Sequence, residues 1–142
     1  MNNRQAYFNY YIEDKIVAGI VLLGTEVKSI RDGKVSFADS FCFFEKAELW
    51  VRGLHIAEYT HETDNNHIAV HDRKLLLTGR ELKKLQNKMK EKGFTIIPLK
   101  VFFNTKNLVK VEIGLGRGKK LHDKRETIKE RDSQREIKQY LK

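Results

Sequence analysis

A small, mostly antiparallel β-barrel carrying a basic tail is the fold class predicted by this 142-residue sequence. Three observations lead there. About six short runs have strand character and only two segments have helical spacing, all within roughly 115 residues, which suits a small barrel better than an α/β domain. Turn-forming residues separate those runs at short intervals. From Gly114 to Arg125 the sequence then changes character, reading Gly-Leu-Gly-Arg-Gly-Lys-Lys-Leu-His-Asp-Lys-Arg, and the remainder of the chain has too few apolar residues for a core.

Each element has a local cause. Tyr7 to Ile12 is rich in aromatic residues and Ala18 to Leu23 is an apolar run bounded by Gly19 and Gly24, so both read as strands. Between Thr25 and Gly33, Val27 and Ile30 stand three apart and the segment ends on a glycine suited to a left-handed cap, which predicts a short helix. Ser40 to Phe44 and Glu48 to Leu54 alternate as two strands, joined at Glu45-Lys46-Ala47 by a hairpin loop that lacks glycine. Lys74 to Leu77 opens a further apolar run. Thr78 and Glu81 make a capping box for a second helix, running to about Lys92 and stopped by Gly93, with Leu82, Leu85 and Met89 as its apolar stripe.

Two long strands come next, Thr95 to Phe103 and Leu108 to Leu115; in the second, Val109, Val111 and Ile113 alternate with Lys110 and Glu112. Pro98, the single proline, predicts an edge position or a bulge in the first. A five- or six-stranded barrel related to the oligonucleotide-binding fold accommodates this order, with a mixed sandwich as the second choice.

Composition narrows the function. The amino terminus lacks the apolar run of a secretory signal and no interior stretch is apolar for long enough to span a membrane, so a cytoplasmic protein without a membrane partner is expected. Cys42 stands alone, which excludes an internal disulfide and predicts a buried, inert thiol. The net charge of +9 is concentrated: residues 117–142 hold ten Lys or Arg against five Asp or Glu, net +5, while residues 1–116 hold eighteen against fourteen, net +4. That distribution points to a polyanionic partner, RNA or DNA, with a solvated solubility tail as the second reading.

Several candidate chemistries fail on spacing. His61, His67 and His71, with Glu62 and Asp64, are metal-capable but share no helical face and match no zinc spacing, so Glu58 to Asp72 reads as a solvated loop. Gly114, Gly116 and Gly118 do not make a P-loop, because Lys119 and Lys120 are followed by Leu121 rather than by Ser or Thr; a flexible exit from the barrel is the expected role. No acid–base pair, nucleophile or metal set stands out, and neither an enzyme nor a cofactor is expected. In the tail, Leu121, Ile128, Ile137, Tyr140 and Leu141 are sparse and like charges fall four apart, predicting disorder alone and a helix when bound to a polyanion. The division expected is a barrel over 1–116 and a tail over 117–142.

Four stretches, Gly24-Thr25-Glu26-Val27-Lys28-Ser29-Ile30-Arg31-Asp32-Gly33, Asp39-Ser40, Arg73-Lys74-Leu75-Leu76-Leu77 and Gly118-Lys119-Lys120-Leu121-His122-Asp123-Lys124-Arg125, stand out. Together they resemble the family of small protein B, the SsrA-binding proteins of bacterial trans-translation. The similarity runs in one register from about Asn3 to the end. It implies a barrel of the oligonucleotide-binding type that binds the tRNA-like domain of transfer-messenger RNA and delivers it to stalled ribosomes.

The resemblance also implies site residues. By motif, Asn3, Glu26, Lys28, Arg31, Leu76, Lys119 and Lys120 are candidates for contacting transfer-messenger RNA, while His122, Asp123, Lys124 and Arg125 would face the ribosomal decoding centre. The implied partners are that RNA, the small-subunit RNA with its message channel, and indirectly elongation factor Tu with GTP. Two places depart from the family pattern. Val17 stands where many members carry a glutamate linked to RNA binding, and Asn66 to His71 lacks the proline and arginine common in that loop. The rival reading is a general RNA-binding barrel or ribosome-associated RNA chaperone.

Overall fold

In a computed structural model, residues 1–61, 66–120, 122–126 and 128 are described. Six strands close into an antiparallel barrel: β1 (Tyr10–Ile20), β6 (Arg73–Leu76), β4 (Glu48–Arg52), β3 (Phe41–Glu45), β7 (Phe94–Phe103) and β8 (Val109–Gly118), which returns to β1. A two-stranded sheet, β2 (Val35–Ser36) with β5 (His55–Ile56), lies outside it. Among the described residues up to the end of β8, the helices are α1 (Arg4–Asn9), α2 (Gly24–Arg31) and α3 (Gly79–Met89). The barrel core includes Leu49, Val51, Leu75, Ile96, Val101, Val111 and Ile113, all buried. This is the predicted class of fold; several of its elements differ from expectation.

The aromatic amino terminus is one. Residues Tyr7 to Asn9 are helical, not extended, because Asn3 caps α1 by accepting from Ala6 N–H at 3.2 Å, and Ala6 packs into a small cluster with Ile97 and Leu99. Capping and burial outweigh the strand preference of the rings. The two strands expected at Tyr7–Ile12 and Ala18–Leu23 are instead one eleven-residue strand, carried through the polar stretch Glu13–Lys15 with a bulge between Ile12 and Asp14. Those polar side chains find outer partners: Asp14 pairs with Lys84 of α3 at 2.8 Å and Glu13 with Arg117 of β8 at 3.4 Å.

Other expectations meet their geometry directly. Thr78 and Glu81 form the reciprocal capping box of α3, although the helix ends at Met89 rather than near Lys92, with Gly93 at φ +89°. The β3–β4 hairpin turns on Lys46 and Ala47, both with positive φ (51° and 64°), so two non-glycine residues take the left-handed conformations that a two-residue turn demands. Pro98 sits at a register shift between Pro98 and Lys100, the bulge that is one of the two expectations for it.

The glycines of β8 are not a flexible exit. A Cβ on Gly114 would stand 2.5 Å from Leu99 Cδ1, and one on Gly116 3.1 Å from both Ile97 Cδ1 and Tyr10 Cβ. Both let neighbouring side chains close over the strand backbone, and Gly118 still pairs with Tyr10. Beyond them residues 122–126 are helical; Leu121, Ile137, Tyr140 and Leu141, on which the expectation of a disordered tail partly rests, lie outside the described residues, as do Glu62 and Asp64. Among the described residues no helix is long and apolar enough to cross a membrane.

Candidate nucleic-acid interface

The long β1–β8 ribbon sets the geometry of the candidate residues. Tyr10 pairs with Gly118 at one end and Gly19 with Lys110 at the other, nine residues apart. At ~3.3 Å per residue the two ends are about 30 Å from each other. Lys119 and Lys120 leave one end. Leu76 and α2 crowd the other.

At the α2 end, Glu26 at N3 of the helix accepts from Leu23 N–H at 2.8 Å, so its carboxylate closes the helix entrance and leaves Lys28 and Arg31 for the surface. Lys28 Nζ lies 5.3 Å from the Tyr59 ring centroid and the Arg31 guanidinium 5.3 Å from that of Phe103. Each cation thus sits near an aromatic ring, where contact with the ring face limits its side-chain freedom. Leu76 is half exposed on β6 opposite Gly19, whose missing Cβ would stand 3.2 Å from Leu76 Cβ. A groove lined by Gly19, Leu22, Val27, Leu76, Leu108 and Lys110 opens there, apolar with a cation at its lip.

Glu26 itself is 1% exposed and faces inward. Its Oε2 accepts from Arg73 Nε and lies 3.0 Å from His71 Nε2. Burial by itself would raise the Glu26 pKa, but the Leu23 N–H, Arg73 and His71 together hold it below the usual carboxylate value. The Arg73 guanidinium also donates to Leu54 O at 2.6 Å and to Ala69 O at 3.0 Å. Neither this ion pair nor the role of the histidines is legible in the sequence. His67, expected in a solvated loop, is 3% exposed, with Nε2 donating to Ile56 O at 2.8 Å and Nδ1 2.9 Å from Thr25 Oγ1. The carbonyl can only accept, so Nε2 carries a proton and donates. The loop is pinned at both histidines.

At the other end, Lys119 N–H donates to Asn9 O at 2.7 Å and its Nζ lies 4.9 Å from the Tyr11 ring, while Arg117 covers Phe94 at 4.4 Å. Lys120 N–H bonds Asp123 Oδ2 at 3.3 Å, Lys124 N–H bonds Lys120 O at 3.1 Å, and His122 meets Glu126 at 3.1 Å; Arg125 is exposed. A local turn therefore organises the His122–Arg125 segment. Asn3 is placed differently: 5% exposed, it donates from Nδ2 to Pro98 O at 2.8 Å and secures α1 over the β7 bulge. Val17 is half exposed on β1 opposite Glu112 of β8. Cys42 is fully enclosed and burial pushes its thiol pKa up, away from reactivity.

A closed antiparallel barrel with basic residues against aromatic rings at both ends of one strand pair defines a small barrel protein of the nucleic-acid-binding class. Comparison with known proteins makes that class specific. The model of the SmpB protein family matches residues 1–142, and the chain belongs to that family. It is 51% identical over 142 residues to the SsrA-binding protein of Bacteroides thetaiotaomicron, covering 100% of this chain and 95% of that one. To the SsrA-binding protein of Parabacteroides distasonis it is 53% identical over 137 residues, covering 96% and 90%. A solved chain described under "tmRNA-SmpB: a journey to the center of the bacterial ribosome" superposes with a TM-score of 0.73 at 46% identity, over 85% of each chain.

Proposed function

We propose that this protein binds the tRNA-like domain of transfer-messenger RNA and delivers it to stalled ribosomes for trans-translation. The observation that carries this reading is the spacing of the two basic ends: Lys28 and Arg31 beside the Leu76 groove, Lys119 and Lys120 about 30 Å away along β1–β8. Two separated footholds of that span suit a folded RNA, whose shape and phosphates are met at both ends, better than a short single strand. His122, Asp123, Lys124 and Arg125, leaving the barrel beside Lys119, are the segment that faces the decoding centre and the message channel. Elongation factor Tu with GTP joins indirectly, through the RNA, and the work is done in the cytoplasm by binding rather than catalysis.

The test compares affinity for transfer-messenger RNA with that for ordinary tRNA at physiological salt, using the full chain and a chain ending at Lys120. That end point keeps β8 and the Lys119–Asn9 bond. Preference for transfer-messenger RNA in both forms is expected. Equal affinity for the two RNAs, with binding lost along with the tail, would point instead to a general RNA-binding barrel.

A further inference from the structure

The barrel has a seam. β3 and β7 share a single register pair, Cys42 with Ile96, whereas β7 and β8 pair along their length. Where the two strands part, α1 and the turn before β3 leave a pocket of about 180 Å³ whose lining includes Asn3, Asn9, Asp39, Ser40, Phe41 and Thr95. The turn is held by Ser40 N–H donating to Phe37 O at 2.8 Å and by Ala38 at φ 43°.

Ser40 is 6% exposed, yet its Oγ has no hydrogen-bond partner among the described residues. That Oγ is itself enclosed, so Ser40 meets the pocket through its other atoms. At the rim, Phe41 is 39% exposed and braced by Phe43, ring centroids 6.2 Å apart and tilted by 52°. Asp39, also exposed, contributes a carboxylate that accepts hydrogen bonds and repels phosphate. The carbonyl of Asn9, another lining residue, anchors Lys119 N–H at 2.7 Å, so the pocket opens beside the cations that begin the tail.

From this arrangement we infer that the seam is a subsite for one unstacked nucleoside of RNA. The base stacks on Phe41, its donor groups or the ribose hydroxyls bond Asp39 and Asn9, and the attached phosphates lie outside, towards Lys119 and Lys120. An exposed aromatic ring beside a polar cleft is how single bases splayed from a folded RNA are held. The pocket is below the size of a drug-like ligand site and accommodates part of one nucleoside, not a duplex. This inference rests on the reading of the protein as an RNA binder and assigns to the Asp39-Ser40 stretch a contact of its own.

The test is a titration of the ¹⁵N-labelled full chain with guanosine 5′-monophosphate, whose base edge and ribose both present donors, and in parallel with inorganic phosphate. Saturable shifts are expected at the amides of Asn9, Asp39, Ser40, Phe41 and Thr95, absent with phosphate alone. Phe41→Leu should weaken the nucleotide by about tenfold, as loss of one stacked base does. Asp39→Asn, on an exposed turn, gives a second variant should Phe41→Leu disturb the fold, and it too should weaken binding. Identical shifts with phosphate, no saturable shift at these amides, or unaltered affinity in Asp39→Asn and in a folded Phe41→Leu would overturn the subsite. Binding of the tRNA-like domain, measured on the same samples, separates the two ideas: retained preference with a silent pocket sinks only the subsite. Lost preference with a working pocket sinks only the proposed function.

Discussion

Glu26 and Arg73, 47 residues apart in sequence, meet in an ion pair whose side chains are 1% and 0% exposed. The pair joins the first turn of α2 to β6, and its further bonds include those to Leu23 N–H, His71 Nε2, Leu54 O and Ala69 O. Removing one partner leaves an uncompensated charge indoors. Glu26→Gln or Arg73→Met should therefore each lower unfolding free energy by about 3–5 kcal/mol, with the double variant losing less than the sum of the two. Urea denaturation of the four chains checks this; strictly additive losses would mean that the pair is not coupled.

The same carboxylate sets an acid limb. Its folded-state pKa is depressed below the ordinary value of 4.5, because burial, which alone would raise it, is outweighed by the Leu23, Arg73 and His71 contacts. The unfolded chain binds the proton more readily, so this contribution is present above about pH 4.5 and is lost as pH falls through the folded pKa. Unfolding free energy measured across that range should fall towards acid, and Glu26→Gln should flatten the fall. Asp72→Asn, at an exposed pair with Arg52, should change the limb far less.

Two glycines of one strand should respond differently to a methyl group. Gly114→Ala forces a Cβ to 2.5 Å from Leu99 Cδ1 and 3.1 Å from Ile12 Cγ2, whereas Gly118→Ala meets nothing within 4 Å. The first should cost about 1–3 kcal/mol by overpacking and the second stay within ~0.5 kcal/mol. Thermal unfolding distinguishes them. A larger loss at Gly118 would restore the picture of a hinge.

How much of the fold is legible in the sequence depends on how local each cause is. Thr78 and Glu81, three apart, announce α3, and Val109, Val111 and Ile113 announce β8, because caps and alternation are written within a few residues. The Glu26–Arg73–His71 cluster is not legible as a cluster, since its members lie 45 and 47 residues from Glu26 and no periodicity links them. α1 is masked because Tyr7 and Phe8 favour strands, while the side chain that overrides them, Asn3, takes its second role from Pro98 across the barrel. Gly114 and Gly116 end a polar–apolar strand and precede a charged tail, a context equally suited to a hinge. Only Leu99, Ile97 and Tyr10, brought over them by the bulged β7 and by β1, decide the matter. The motif residues are legible as candidates, but their division between the two ends of the ribbon depends on barrel closure.

That division predicts independence. Arg31→Ala and Lys119→Ala, at opposite ends of β1–β8, should each weaken binding to transfer-messenger RNA, and their free-energy losses should add within about 0.5 kcal/mol. Each should reduce the slope of log affinity against log salt by about 1 if its cation neutralises a phosphate. Lys84→Ala, whose cation is held by Asp14 at 2.8 Å on α3, is the control and should leave both quantities nearly unchanged. Salt-dependent filter binding measures all of them, and equal effects from Lys84 would reduce the interface to undirected charge.

The tail segment should separate from recognition altogether. His122 is 79% exposed and pairs with the neighbouring Glu126, while Lys124 closes its turn through the backbone, so the barrel does not need their side chains. Replacing His122, Lys124 and Arg125 together by alanine should leave unfolding free energy within ~0.5 kcal/mol, as surface changes do. If the segment serves the decoding centre, affinity for transfer-messenger RNA should fall by no more than about threefold, since the two candidate phosphate contacts of the barrel end, Lys119 and Lys120, remain. Tag addition on a message without a stop codon, followed in a reconstituted translation reaction, should then be lost although the RNA still arrives bound. The opposite pattern, with tagging intact and RNA affinity collapsed, would place His122, Lys124 and Arg125 in the RNA interface and leave the decoding centre to other residues.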